Sequence, residues 1–109
     1  MKINNEFIVI LITTKNNDEA KKIAKILLTK NLIACANIIN KVESIYNWNE
    51  KLVEDSESLI ILKSEKKLFN KISKIVKENH SYSVPEILAL PIIDGDNDYL
   101  AWIKGCLVV

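Results

Sequence analysis

Residues 32–48 read LIACANIINKVESIYNW, residues 52–63 read LVEDSESLIILK, and Asn49, Glu50 and Lys51 lie between them. The first run is long and extended in character, with β-branched residues throughout and aromatic residues toward its end. At about 3.3 Å per residue it reaches far past one small sheet. The polar triplet 49–51 is the expected hairpin tip, and residues 52–63 return as the partner strand. An overlong hairpin carrying Tyr46 and Trp48 near its tip needs somewhere to bury them. Isolated hairpins are marginal and exposed strand edges are sticky, so another subunit is the expected cover.

Working outward, Phe7 to Thr14 is rich in β-branched residues and predicts a strand buried on both faces. Asn16, Asn17, Asp18 and Glu19 make a helix start, with acidic residues where the macrodipole favours them. Ala20, Ile23, Ala24 and Leu27 then recur at i, i+3, i+4 and i+7 while Lys21, Lys22 and Lys25 face solvent, which predicts a helix ending near Lys30 and Asn31. Beyond the hairpin, Ser64 is placed to cap a second helix whose inward stripe is Leu68, Ile72, Ile75 and Val76. His80 to Ser83 reads as a loop. Glu86 to Ile93, just after Pro85 and containing Pro91, reads as a fourth strand that is edge-like or bounded by prolines. Asp94, Gly95, Asp96 and Asn97 make a turn, and Asp98 to Lys104 a short last helix, with Gly105 placed to end it. The element order is β-α-β-β-α-β plus a terminal helix. This predicts one α+β domain over residues 1–109: a ferredoxin-like βαββαβ sandwich with a long β2–β3 hairpin and a short C-terminal helix. That plan hosts many functions and decides none.

Composition narrows the classes. With 109 residues the chain has room for one core, and 49% apolar against 27% charged residues fits a globular protein. All 15 basic residues are lysines, and the net charge is +1. A ferredoxin-like acylphosphatase needs an arginine cradle for phosphate, which this chain lacks. An RNA-recognition module needs a basic surface and aromatic residues on its central strands. Here the candidate strands 7–12 and 59–62 are aliphatic apart from Phe7, so neither nucleic acid nor a membrane surface is an expected partner. No apolar run reaches the roughly 18 residues that span a bilayer. Phe7 to Ile12 is too short and too abruptly ended for a signal peptide, which makes the cytoplasm the expected location. Cys35 and Cys106 have no zinc or redox spacing and read as two free thiols.

Four segments together resemble the CutA family, in that family's order and spacing: LIACANII at 32–39, SIYNWNEK at 44–51, YSVPEILALP at 82–91 and GDNDYLAW at 95–102. The resemblance runs from about Phe7 to Trp102. It implies a ferredoxin-like protomer, a tight homotrimer whose sheets pack around a threefold axis, and an association with tolerance of copper and other divalent cations, with no enzymatic reaction. The implied trimer is similar to that of the PII regulatory proteins, which suggests ligand clefts between subunits. Two departures stand out. Glu50 occupies a hairpin position where the family usually has glycine. Thr14 and Asn79 stand where some copper-binding members carry a cysteine and the first of two adjacent histidines, so His80 alone remains of three candidate ligands.

The candidate residues follow. His80 is the only histidine, so any imidazole ligation falls on it, either as a weak contact to Cu(II) or another divalent cation assisted by Glu86, or as a solvent-exposed loop residue without a ligand. Glu86 reads equally as one half of a structural ion pair. Tyr46, Trp48 and Tyr82 are expected at a subunit interface, or lining an inter-subunit cleft for a small ligand with Lys63 and Glu86 as polar partners. Cys35, inside an apolar run, reads as a small core hydrophobe, and Cys106 as an exposed thiol. Asp94, Asp96 and Asp98 lack the further ligands and distal glutamate of a calcium loop and are assigned to turn and cap.

Overall fold

Two long strands, paired antiparallel, carry this protein's sheet well beyond its core. In a computed structural model that describes residues 6–108, the elements are β1 (Phe7–Thr14), α1 (Asn17–Thr29), β2 (Cys35–Trp48), β3 (Lys51–Glu65), a 3-10 turn (Lys66–Leu68), α2 (Phe69–Asn79), β4 (Ile87–Pro91) and α3 (Asn97–Cys106). The four strands form one antiparallel sheet in the order β2-β3-β1-β4. This is the expected ferredoxin-like α+β plan with its long hairpin and short terminal helix.

The helices cover one side of the sheet. Ile8, Ile10 and Ile12 of β1 and Ile60 and Leu62 of β3 pack with Ala20, Ile23 and Leu27 of α1 and Ile72 and Val76 of α2. The alternation of a strand and the 3.6-residue period of a helix present these side chains to one another. Asn16 caps α1, its side-chain oxygen accepting from the Glu19 amide at 2.9 Å. Asp96 caps α3 in the same way, accepting from the Tyr99 amide at 3.0 Å, so the expected turn-and-cap role holds there.

Several local expectations are corrected. β1 is buried along its whole helix side; on the other side Phe7 is buried, but Val9, Leu11 and Thr13 are half-buried, because no helix covers them. Ser64 does not cap α2. It lies in β3, buried, and its hydroxyl donates to the Leu32 carbonyl at 2.6 Å, while the helix starts through a 3-10 turn without a side-chain cap. β2 begins at Cys35, since Leu32, Ile33 and Ala34 form a buried connection instead. β4 stops at Pro91, and α3 runs through Gly105 to Cys106. Gly105 does not end the helix, since its φ is not in the left-handed region of a glycine C-cap. Cys106 is half-buried against the core and not exposed, whereas Cys35 is half-buried on the uncovered sheet face and not in the core.

The hairpin carries two left-handed features. At its tip Asn49 and Glu50 have φ of 51° and 63°, the pattern of a two-residue type I′ turn. Asparagine accepts this conformation readily, but a glutamate Cβ crowds the following carbonyl at a cost of about 1 kcal/mol. Glu50→Gly is therefore expected to stabilise the protein by about that amount, read as a higher denaturant midpoint. A lower midpoint would mean that the Glu50 side chain makes a compensating contact. Farther down, the register shifts between Ile39 and Val42, where three steps of β2 oppose two of β3. Lys41, with φ 60°, is part of this bulge, and Asn40 closes it by accepting from the Lys41 amide at 2.9 Å and the Ser58 hydroxyl at 3.3 Å.

Candidate functional site

The strand pairings align the side chains of the uncovered sheet face in rows. One row is Leu90, Val9, Lys63 and Cys35; the next is Leu88, Leu11, Ile61 and Asn37; the third is Thr13, Leu59 and Ile39. Leu88 and Leu90 are 55% and 49% exposed, and Ile39 is 47% exposed. Across the bulge, the residues that continue this face are Val42, Ser44, Tyr46 and Trp48, paired with Glu57, Asp55, Val53 and Lys51. The side without helices is thus mostly apolar, with aromatic side chains toward the tip.

A polar corner closes one end of this face. His80 follows α2, and its side chain is 0% exposed. Its Nε2 lies 2.8 Å from the Thr13 carbonyl, and its Nδ1 accepts from the Tyr82 amide at 3.0 Å. A carbonyl only accepts and an amide N–H only donates, so Nε2 carries the hydrogen and Nδ1 the lone pair. Glu19 Oε1, 3.8 Å from Nδ1, is therefore a neighbour and not a salt-bridge partner. Glu19 instead holds Ser81, accepting from its amide at 3.0 Å and its hydroxyl at 3.1 Å. Tyr82, 4.8 Å from the His80 ring centre to centre, donates its hydroxyl to buried Glu57 at 2.7 Å. Burial, followed by the Glu57 carboxylate, pushes the Tyr82 phenol well above its ordinary range. The Tyr46 hydroxyl donates to Asp55 at 3.3 Å, and lost hydration, then Asp55, raises its phenol too.

Lys63 occupies the middle of the face. Its ammonium donates to the Asn37 side-chain oxygen and lies 3.9 Å from the Cys35 sulfur, and that thiol lies 3.8 Å from the same Asn37 oxygen. At the far end, β1 and β3 bring Glu6 and Glu65 together beside Lys104, whose ammonium is 2.5 Å from Glu6. The hydrogen bond from Lys104 lowers Glu6, whereas burial, followed by the hydrogen bond to Glu6, raises Glu65. The signs oppose. Stability tied to Glu65 is fully present below its ordinary 4.5 and is lost as pH rises through its raised value. Stability tied to Glu6 is present above its ordinary 4.5 and lost as pH falls. Glu65→Gln keeps a hydrogen-bond donor for Glu6 without a titrating proton. The variant is expected to gain stability relative to wild type as pH rises from 4.5 to neutrality, measured by urea denaturation at several pH values; a constant difference across that range would contradict the assignment.

The predicted residues separate in the protomer. Tyr46 and Tyr82 sit at one corner with Asp55 and Glu57. Trp48, 60% exposed, projects at the hairpin tip. Lys63 is six residues along β3 from Glu57, roughly 20 Å away. Glu86 is exposed just before β4, and the expected ion pair is not made within the protomer among the described residues. The expectation of a solvent-exposed His80 is corrected, because the ring is enclosed and both nitrogens are engaged. Among the described residues no group of three His, Cys, Asp or Glu side chains is placed to hold a metal ion, so the residues of one protomer do not fit a tight copper centre. A cleft of about 380 Å³ lies between α2 and β4 and another of about 350 Å³ on the distal hairpin, and no predicted site residue lines either. Sequence reasoning missed Glu19, Asn37, Asp55 and Glu57. Only for Glu57 is there a local signal, an acidic residue two positions before the apolar run 59–62.

The sequence profile of the CutA1 divalent ion tolerance protein family matches residues 8–106. The chain is 44% identical over 96 residues to the divalent-cation tolerance protein CutA of Thermus thermophilus, covering 88% of this chain and 93% of that protein. It is 41% identical over 98 residues to the chloroplastic protein CutA of Arabidopsis thaliana, covering 90% of this chain and 54% of that protein. The chain thus spans about half the length of the plant relatives it matches. The crystal structure of CutA1 from Oryza sativa superimposes with a TM-score of 0.93 at 36% identity, covering 98% of each chain.

Proposed function

The chain belongs to the CutA1 divalent ion tolerance family, and from that premise we propose that it acts as a homotrimeric binding protein, not an enzyme, with ligand clefts between its subunits. The uncovered sheet face carries this reading. Leu88, Leu90, Ile39 and, toward the tip, Trp48 leave large apolar area in water, and burying it against neighbouring copies contributes about 25 cal/mol per Å². The hairpin extends this surface past the protomer's own core, where a neighbour's sheet can meet it. Tyr46, Tyr82, Lys63 and Glu86 then come to lie at or near the seams, where residues far apart in one protomer can be completed by another.

Cation tolerance enters this reading through the family and not through a copper centre at His80. A metal there would have to displace the Thr13 carbonyl or the Tyr82 amide from a ring nitrogen. No helix among the described residues is long and apolar enough to cross a membrane. We place the protein in the cytoplasm, whereas the Arabidopsis relative is named for the chloroplast. Sedimentation equilibrium at micromolar concentration tests the assembly: the expected mass is three times 12.4 kDa, and a 12.4 kDa species throughout would overturn the proposal.

A further inference from the structure

We infer that Lys63 forms an anion-binding subsite in the subunit seam, taking the carboxylate or phosphate of a small-molecule ligand. The inference rests on the trimer reading above and names the chemistry of its cleft. Among the three rows of the uncovered face, Lys63 is the only charged residue. Its row neighbours are Leu90, Val9 and Cys35, so a subunit closing over the face encloses the ammonium in mostly apolar surroundings.

Within the protomer that ammonium has only a neutral partner, the Asn37 side-chain oxygen, with the Cys35 sulfur 3.9 Å away. No carboxylate lies within ion-pair distance of it among the described residues. Enclosing a charge without a counter-charge costs several kcal/mol, so an assembled seam requires an anion at this position. Glu65, two residues along β3, does not supply it, since its carboxyl is engaged with Glu6.

The donors that remain suit an anionic oxygen. One N–H of the ammonium goes to Asn37 and a second to the Cys35 sulfur at 3.9 Å, which leaves one. Asn37 uses its oxygen toward Lys63 and is itself exposed, so its amide N–H₂ is the second donor facing outward. Lysine and asparagine together bind an anion as a point charge plus a directed hydrogen bond. The chain has no arginine to make the planar bidentate grip, so carboxylate and phosphate both fit.

The probes are inorganic phosphate and citrate, titrated calorimetrically into wild type, Lys63→Gln and Asn37→Ala, with sedimentation run on each sample. Wild type is expected to sediment as a trimer and to bind at least one probe saturably. Phosphate alone would assign a phosphorylated ligand, and citrate alone a carboxylate. Lys63→Gln should weaken that binding about tenfold or more while remaining trimeric, and Asn37→Ala by a smaller factor. A wild-type trimer that binds neither probe would overturn the subsite and leave the trimer standing, the counter-charge then coming from the neighbouring subunit. Unchanged binding in Lys63→Gln would also overturn it. If Lys63→Gln fails to fold, the Asn37→Ala titration decides, with undiminished affinity counting against the subsite. A monomeric wild type would overturn the trimer reading and the subsite with it.

Discussion

Leu88→Glu is expected to convert the assembly into protomers, seen as a shift of the sedimenting mass to 12.4 kDa with far-UV circular dichroism retained. Leu88 is more than half exposed in the protomer and pairs with Leu11 at the β4 edge, so a glutamate there costs the isolated subunit little. In an interface the same carboxylate is taken out of water without a partner. The penalty is several kcal/mol for each copy, and a closed trimer incurs it three times. A smaller apolar substitution such as Leu88→Ala removes area without introducing charge and should only weaken association. If Leu88→Glu sediments with the wild-type mass and melts at the wild-type temperature, the sheet face is not the contact surface.

His80→Ala is expected to destabilise the protein by about 3 kcal/mol without altering a copper titration. The substitution empties an enclosed ring-sized space and strips the Thr13 carbonyl and the Tyr82 amide of their partners. For a domain of this size that loss lowers the melting temperature by roughly 10 °C or more. The loop 80–84 loses its internal fixation, leaving Tyr82 held through Glu57 and Ser81 through Glu19. A drop in copper affinity at unchanged stability would reverse the assignment and make the ring a ligand. Loss of both would indicate that the ring nitrogens exchange their protein partners for metal.

These two residues show how unevenly the site was legible. The loop position of His80 follows from its sequence neighbours, but its enclosure does not. Thr13 lies 67 positions away and Glu19 lies 62 from Ser81, and contacts of that separation leave no periodic trace. Tyr46 and Tyr82 were identifiable as aromatic residues that needed cover, whereas their carboxylate partners Asp55 and Glu57 are set by strand register. Cys35 illustrates the reverse error. Its apolar neighbours suggest a core thiol, yet strand pairing sets it beside Lys63 on the uncovered face.

What the sequence determined by itself was whatever depends on short-range periodicity and local chemistry. The apolar stripe Ala20, Ile23, Ala24 and Leu27, the Asn16 and Asp96 caps, the hairpin tip and the order of elements all follow from residues within a few positions of one another. Tertiary structure alone decided which side of the long hairpin each residue faces. The extra residue at the bulge near Lys41 inverts the alternation, so Tyr46 and Trp48, and not Ile45 and Asn47, continue the face begun by Asn37 and Ile39. Side-chain period along a strand is two, so a single inserted residue moves every later side chain to the opposite face. The hairpin that identified the fold thus carries its aromatic residues onto the apolar face because of one left-handed lysine.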